Sequence, residues 1–89
     1  MKKIEHCVYV LFSLKDKQFY IGYTTDLKQR LTDHFHGHST NTSFRRPIIL
    51  LFCEYFLSKK DATRREEYFK TSSGKRTLKI MLKDSLTDL

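Results

Sequence analysis

Residues 7–23 read CVYVLFSLKDKQFYIGY, and this stretch decides the fold. Residues 7–13 and 18–23 are rich in β-branched and aromatic side chains, which is typical of strands. The polar residues 14–17 between them predict a turn. The whole stretch is therefore a predicted antiparallel hairpin.

The register of this hairpin decides which side chains share a face. A two-residue turn at 16–17 pairs Ser13 with Tyr20, and it then places Tyr9 and Tyr20 on the same face. A three-residue turn would put the two phenols on opposite faces. Any site that uses both tyrosines therefore depends on the turn.

A helix is predicted directly after the hairpin. Residues 24–26 (TTD) supply a helix cap and an acidic residue in the first turn. Leu27, Leu31 and Phe35 follow at the i, i+4, i+8 spacing of an amphipathic helix, and Gly37 ends it.

The next strand is predicted from an almost wholly apolar run. Residues 38–46 form a polar, basic loop, and Pro47 opens the segment 48–56 (IILLFCEYF). Such a run indicates a strand covered on both faces, so we expect it to be the central strand. A short buried helix is the alternative.

Two further helices complete the chain. Residues 58–61 resemble a helix start, and Ala62, Glu66 and Phe69 then share one stripe. Glu66 is unexpected there, because a carboxylate facing the domain body needs a partner or a metal. The simpler explanation is an ion pair with Lys70 at i+4.

Residues 71–74 (TSSG) break the helix, and a last helix is predicted over about 75–84, with Leu78, Met81 and Leu82 packed on the core. The predicted order is β-β-α-β-α-α. This order indicates an α+β fold, a three-stranded, mainly antiparallel sheet with helices against it. The length of 89 residues fits one domain over residues 1–89.

Charge points to a polyanionic partner. The formal net charge is +7, and residues 59–83 hold nine lysines and arginines against three acids. Such a local field favours nucleic acid, although a solvated helix face is the simpler explanation. The residues expected to contact nucleic acid are Arg45, Arg46, Arg65, Lys70, Lys75 and Arg76.

The cellular compartment is inferred from the N-terminal residues, the lengths of the apolar stretches and the two cysteines. The N-terminal residues do not resemble a signal peptide, and no apolar stretch reaches membrane-spanning length. Cys7 and Cys53 lie far apart in apolar runs and lack zinc spacing, so they are expected to be buried free thiols. These features predict a cytoplasmic protein with no membrane partner.

Five residues stand out as a possible site: Tyr9, Tyr20, Arg30, His34 and Glu66. Each has an ordinary explanation alone, as a core phenol, a solvated charge or a surface ion pair. A metal cluster of His34, His36 and His38 is rejected, because alternate spacing at a helix end does not converge on one ion.

In combination these residues resemble the GIY-YIG nuclease family. Val8-Tyr9 and Tyr20-Ile21-Gly22 are similar to its paired tyrosine motifs, Arg30 follows on the next helix, and residues 62–66 resemble the helix that carries its metal-binding glutamate. Cys7 stands where the first motif has glycine. The likeness covers about residues 7–79, and it is nearest to the short stand-alone bacterial members.

The resemblance implies a role for each residue. Tyr9 would orient or deprotonate the attacking water, Tyr20 would support that water and the phosphate, and Arg30 would clamp the phosphate. His34 would assist by proton transfer or a hydrogen bond, and Glu66 would hold one divalent ion, Mg²⁺ or Mn²⁺.

Three functions remain open from the sequence. The first is a metal-dependent endonuclease, acting on DNA rather than RNA in repair or recombination, with a protein partner that supplies targeting. The second is a non-catalytic module that binds nucleic acid or docks onto a repair complex. The third is a small basic protein-interaction domain. A carboxylate facing a phosphate favours the first, since a pure binder has no need of one.

Overall fold

The computed structural model describes residues 2–38 and 42–89. Within these ranges the elements are β1 His6–Ser13, β2 Phe19–Thr24, α1 Leu27–Phe35, β3 Ile48–Phe56, α2 Lys59–Lys70, α3 Ser72–Met81 and α4 Lys83–Thr87. The three strands form one antiparallel sheet with helices against it, which confirms the predicted α+β fold. No helix in the described part of the chain is long and apolar enough to cross a membrane.

The central strand is β1, because the strands lie in the order β2-β1-β3. The prediction that residues 48–56 form the centre was wrong. The apolar run is explained differently: Leu51 and Phe52 pack with the cluster under α2 and α3, whereas Leu50 and Cys53 pack with the cluster under α1. An edge strand covered by helices on both faces is as apolar as a central one.

The hairpin register differs from the predicted one by two residues. Tyr20 lies opposite Leu11, and the backbone N–H of Ser13 donates to Gln18 at 3.0 Å, so the loop has four residues instead of two. The Ser13 hydroxyl accepts from the backbone N–H groups of Lys15 and Asp16 at 3.1 Å each, which stabilises the longer loop. An even shift preserves the face of every side chain, so Tyr9 and Tyr20 do share a face.

The sheet carries a hydrophobic cluster on each face. On one face Val8 and Val10 of β1 pack with Ala62, Phe69 and Leu78 of the helices α2 and α3. On the other, alternate residues of β1 pack with α1: Cys7, Tyr9 and Leu11, against Leu27 and Leu31. Strand alternation on β1 therefore separates two layers, and both are needed to enclose the sheet.

Two residues predicted for the core are exposed. Phe35, at the last position of α1, is 42% exposed, and Met81, at the last position of α3, is 43% exposed. The C-terminal stripe that does pack consists of Leu78, Leu82 and Leu86, spaced by four residues. Met81 is one position off this stripe, which explains its exposure.

The helix α3 begins earlier than predicted because Thr71 is both the last cap of α2 and the first cap of α3. Thr71 ends α2, and its hydroxyl accepts the backbone N–H of Gly74 at 3.0 Å, as a cap of α3. Gly74 also packs on the end of α2, where a Cβ atom would lie only 1.8 Å from the carbonyl oxygen of Tyr68. The sharp break between the helices requires this glycine.

The two cysteines are free thiols, as expected, but only Cys7 is buried. Cys53 lies on the edge strand and is partly exposed, because β3 has no neighbour on its outer side. Burial, reinforced by the nearby Cys53, raises the pKa of the Cys7 thiol to about 11. Cys7 is therefore unreactive at neutral pH.

Candidate active site

A cleft of about 450 Å³ opens at the free edge of β2. Its lining includes all five residues singled out as a possible site, namely Tyr9, Tyr20, Arg30, His34 and Glu66. Residues 19–23 of β2 all border it, and their side chains alternate between the two faces of the sheet. The cleft therefore wraps around the strand edge.

The two faces contribute different parts of the cleft. Tyr9, Tyr20 and the α1 residues Arg30 and His34 come from one face, since Tyr9 and Tyr20 pack in the cluster beneath α1. Glu66 comes from α2, whose neighbours Ala62 and Phe69 pack on the other face. Residues distant in sequence line one cleft because it wraps around the edge of β2 and is bordered from both faces of the sheet.

Tyr9 belongs to a buried hydrogen-bonded chain. Its hydroxyl lies 3.1 Å from Nε2 of His34, and Nδ1 of His34 lies 2.6 Å from the hydroxyl of Thr42. Tyr9, His34 and Thr42 are 3%, 4% and 1% exposed. The two ends of the imidazole are therefore both fixed by hydroxyl groups, out of contact with most solvent.

The environment of His34 keeps its imidazole neutral at neutral pH. Burial lowers the pKa of His34, and the Arg30 guanidinium one turn away lowers it further. A neutral imidazole has one donor nitrogen and one acceptor nitrogen. In the tautomer that carries its proton on Nδ1, that nitrogen donates to Thr42 and Nε2 can accept the Tyr9 hydroxyl proton, which leaves the lone pairs of the phenol oxygen for the cleft.

Gly22 makes room for the Tyr9 ring. The two residues are directly opposite in the hairpin, and a Cβ atom at Gly22 would lie 2.2 Å from the Tyr9 hydroxyl oxygen and 2.3 Å from Cζ. Any side chain larger than hydrogen would displace the phenol. The glycine of the Tyr20-Ile21-Gly22 motif thus has a packing reason, independent of backbone conformation.

Tyr20 has a different set of partners. Its hydroxyl donates to Oδ2 of Asp16 at 2.5 Å, and Nε of Arg45 lies 3.4 Å from the same oxygen. Burial and then the Asp16 contact raise the pKa of Tyr20, and the Tyr20 hydrogen bond lowers the pKa of Asp16. Tyr20 therefore keeps its proton, and it cannot act as a base at neutral pH.

Glu66 is the acid of the cleft. Its side chain is 18% exposed, and Oε2 lies 3.1 Å from Nζ of Lys70, which also borders the cleft. Glu66 therefore faces inward, as its helical spacing predicts, and it also forms the expected ion pair with Lys70. Glu67, the next residue, is exposed to solvent.

The donor set around Glu66 fits only a lightly held ion. Within residues 2–38 and 42–89 no group of three or more histidine, cysteine, aspartate or glutamate side chains is close enough to hold a metal. Zinc, which prefers three or four such ligands, does not fit. Mg²⁺ does, because it commonly takes one or two carboxylates, keeps several waters and completes its shell with substrate phosphate.

The six residues expected to contact nucleic acid fall into two groups. Lys70 and Lys75 border the cleft, as Arg30 does, and Lys70 pairs with Glu66. The remaining four do not line it: Arg45, Arg46, Arg65 and Arg76.

Those four have partners of their own. Nε of Arg65 donates to Glu54 at 2.5 Å while its guanidinium lies 4.3 Å from the centre of the Phe69 ring, and Arg45 is held by Asp16. Nε of Arg46 donates to the carbonyl of Ser43 at 3.3 Å, and a nitrogen of Arg76 donates to the Ser73 hydroxyl at 3.2 Å. Arg65 in particular contributes to the packing of the fold, because it pairs with Glu54 and lies over the Phe69 ring.

Several residues in or beside the cleft could not be identified from the sequence. Thr42 is one of many polar residues in the basic loop, and nothing in the pattern separates it from its neighbours. The sequence predicts Asp16 in the turn but does not predict its contact with Tyr20. The i, i+4 spacing across a four-residue loop is the signal that could have suggested this contact. Tyr23 also borders the cleft, where its hydroxyl contacts Nδ1 of His6 at 2.7 Å.

Comparisons with known proteins identify the family of this chain. Residues 5–79 match the family model described as the GIY-YIG catalytic domain. A UPF0213 protein of Staphylococcus haemolyticus is 40% identical over 78 residues, covering 86% of this chain and 94% of the relative. UPF0213 protein YazA of Bacillus subtilis is 39% identical over 77 residues, covering 85% and 77%.

A solved structure is also similar. The solution NMR structure of a UPF0213 protein from Bacillus halodurans has a TM-score of 0.55 and 35% sequence identity, covering 85% of this chain and 83% of that one. These three relatives are small bacterial proteins that align over most of their length. By sequence and by fold, the chain belongs to the GIY-YIG family.

Proposed function

We propose that the protein is a metal-dependent endonuclease that hydrolyses phosphodiester bonds in nucleic acid. The observation that supports this best is the buried Tyr9–His34 hydrogen bond, which opens on the same cleft as Arg30 and Glu66. A proton acceptor, a phosphate-binding cation and a carboxylate in one cleft are what phosphodiester hydrolysis requires. DNA is the proposed substrate, in repair or recombination, with targeting supplied by a protein partner.

Tyr9 is the residue proposed to act on the attacking water. In the tautomer with its proton on Nδ1, Nε2 of His34 accepts the Tyr9 hydroxyl proton, so the phenol oxygen can take a proton from water while its own passes to the imidazole. Thr42 holds the ring in place for that transfer. This relay works only while His34 is neutral, which the lowered pKa of His34 ensures.

The other residues act on the phosphate. Arg30 presents planar donors that match two phosphoryl oxygens, and Lys70 and Lys75 add positive charge at the rim. Tyr20, which keeps its proton and donates it in a hydrogen bond to Asp16, would orient water or phosphate through a lone pair of its oxygen. Glu66 would hold Mg²⁺ or Mn²⁺ once Lys70 turns to the substrate, and the bound ion would neutralise charge on the phosphate.

Cleavage assays test this proposal. The purified protein is incubated with branched, single-stranded and duplex DNA, and with RNA of the same sequences, in Mg²⁺, Mn²⁺ or a chelator. Glu66→Gln and Arg30→Ala should each abolish metal-dependent cleavage. Glu67→Gln, the same change at the exposed neighbouring residue, is the matched control and should cleave normally. Cleavage that survives Glu66→Gln would refute the assigned site.

One contact favours a second function, that of a non-catalytic module binding nucleic acid. The Glu66–Lys70 ion pair at 3.1 Å neutralises the only acid that lines the cleft within the described residues. A protein of this kind would bind DNA in a salt-sensitive way and would cut no substrate with either metal. Salt-sensitive binding, measured by fluorescence anisotropy, together with no cleavage in either metal would favour this second function.

A further inference from the structure

A second groove adjoins the cleft. It encloses about 280 Å³ and combines an apolar floor with a basic rim. Phe12, Phe19 and Leu86 form the floor, while the rim holds the lysines at positions 17, 75 and 79. An apolar surface with cations around it is complementary to a nucleobase with its flanking phosphates.

The groove is continuous with the cleft. Phe19 and Lys75 line both cavities, so a chain leaving the cleft can enter the groove directly. The two cavities lie along the same edge of the hairpin, the cleft at residues 19–23 and the groove at residues 17–19. A nucleotide in the groove would therefore be the neighbour of the nucleotide at the cleft.

The floor is aromatic. The rings of Phe12 and Phe19 have centroids 5.6 Å apart with planes inclined by 57°, and both belong to the packed cluster on the α2 and α3 face. Phe19 is buried and Phe12 is partly exposed, so Phe12 offers more of the aromatic surface in the groove. Base–aromatic contact of this kind does not depend on base identity, because every base has a π face.

The rim is positively charged without compensation from nearby acids. In the portions of the chain covered by the structure, Lys17, Lys75 and Lys79 make no salt bridge. Asp16, the acid next to Lys17, is already held by Tyr20 and Arg45. The positive potential of the groove is therefore available to a ligand.

Lys17 occupies an unusual backbone position. Its φ is 59°, in the left-handed region that glycine and asparagine adopt most readily. A lysine there is less favourable for the turn than glycine, so its side chain calls for another explanation. Its place on the rim of the groove supplies one.

From these observations we propose that the groove binds one unpaired nucleotide next to the scissile phosphate, with its base on Phe12 and Phe19 and its phosphates at Lys17 and Lys79. The inference rests on the proposed function, since it places the groove beside the reacting phosphate. It makes substrates with an unpaired strand at or beside the cleavage point, such as flaps and branched junctions, the preferred class. A continuous duplex would not fit, because its bases are stacked and cannot reach the floor.

Binding without cleavage tests the site. Fluorescence anisotropy of a labelled single-stranded DNA oligonucleotide is measured in a chelator, for the native chain and for a Lys17→Gly, Lys79→Ala double variant. Glycine suits the φ of residue 17, so the turn is retained. The control is Lys60→Ala, Lys83→Ala, which removes the same charge from positions outside both cavities.

The groove variant should bind about tenfold more weakly than the control. Its log K against log salt plot should be flatter by about 1.4, because each lost lysine–phosphate contact on a single strand contributes about 0.7. The native chain should also bind the single strand more tightly than a blunt duplex of the same length. Equal losses in the two double variants, or equal or tighter binding of the duplex, would overturn the proposal.

The outcome for this site is separable from the outcome for the proposed function. Because the chelator removes divalent ions, the binding result does not require cleavage. A chain that binds as described but cuts nothing would contradict the endonuclease and leave the groove standing. A chain that cuts but shows no difference between the double variants would do the reverse.

Discussion

Tyr9 and Tyr20 lie on the same face of the same hairpin, yet their surroundings differ in every respect that matters for chemistry. The Tyr9 hydroxyl meets a neutral imidazole that can take its proton, whereas the Tyr20 hydroxyl meets a carboxylate that holds its proton in place. Tyr9 is 3% exposed, and Tyr20 is only partly buried. One residue type therefore occurs in two chemical environments, because the two hydroxyl groups have different partners.

The difference comes from loops, not from the strands. Thr42 and Arg45 both belong to the segment between α1 and β3, and Thr42 fixes the partner of Tyr9 while Arg45 contacts the partner of Tyr20. The Ser13 hydroxyl donates to the carbonyl of Arg45 at 2.6 Å and ties this segment to the hairpin loop. The sheet positions the phenols, and the loops determine what each one can do.

The strongest test of this comparison is removal of each hydroxyl in turn. Tyr9→Phe should lower the single-turnover cleavage rate about 10³-fold, within the range of a lost general base. Tyr20→Phe should lower it only about tenfold, because an orienting hydrogen bond is lost. Circular dichroism of both variants checks folding. Equal losses, or a larger loss for Tyr20→Phe, would contradict the division of roles.

A second test crowds Tyr9 without removing it. Gly22→Ala places a methyl group where the phenol lies, so we expect a roughly 100-fold slower reaction with overpacking of about 1–3 kcal/mol. Gly74→Ala is the comparison for lost stability, since its methyl group would meet the Tyr68 carbonyl and not the Tyr9 phenol. It should reduce stability at least as much in urea titrations. Similar cleavage rates for the two variants would argue against a need for the exact Tyr9 position.

A third test removes the support behind the imidazole. Thr42→Val keeps the shape of the side chain but leaves Nδ1 of His34 without its hydroxyl partner, which costs about 1–3 kcal/mol of stability. Cleavage should fall about tenfold. Thr42→Ser, which keeps the hydroxyl, should restore both quantities. Failure of serine to restore cleavage would assign the effect of valine to packing alone.

The smallest expected effect is that of pH. Because the pKa of His34 is lowered below its ordinary 6.5, the folded protein binds its proton less readily than the unfolded chain does. Stability should therefore be intact above pH 6.5 and decline as pH falls below it. The cleavage rate should likewise stay nearly constant down to pH 6.5, with its acid inflection below that value. An inflection above 6.5 would show a charged, stabilised imidazole instead.

Much of the fold and of the cleft follows from periodicity in the sequence. Strand alternation placed Tyr9 and Tyr20 together, and helical spacing placed Glu66 on the inward stripe with Ala62 and Phe69. These patterns are local, and they survive errors of two residues in register. The family resemblance carried by the same residues was confirmed by the comparisons.

What the sequence could not predict depends on non-local contacts. The position of β3 at the edge depends on the order in which the three strands pair. An apolar run shows that helices cover both faces of a strand, but it does not show whether the strand has a neighbour on each side. Thr42 reaches His34 only through the path of the loop after α1. The four-residue hairpin loop is stabilised by hydrogen bonds from the backbone to the Ser13 hydroxyl. Hydrophobic patterning does not show such bonds, so it does not distinguish this loop from a tighter turn.

The position of the cleft on the outer edge of β2 has a consequence for recognition. A strand with a neighbour on one side only has a row of main-chain amide hydrogens and carbonyl oxygens facing outward. Amide hydrogens of this kind can hold a phosphodiester oxygen as readily as another strand, and they carry no information about base order. An enzyme with its site on such an edge would recognise the shape of the nucleic acid, such as a branch or a gap, and would have no base specificity at the cleavage point.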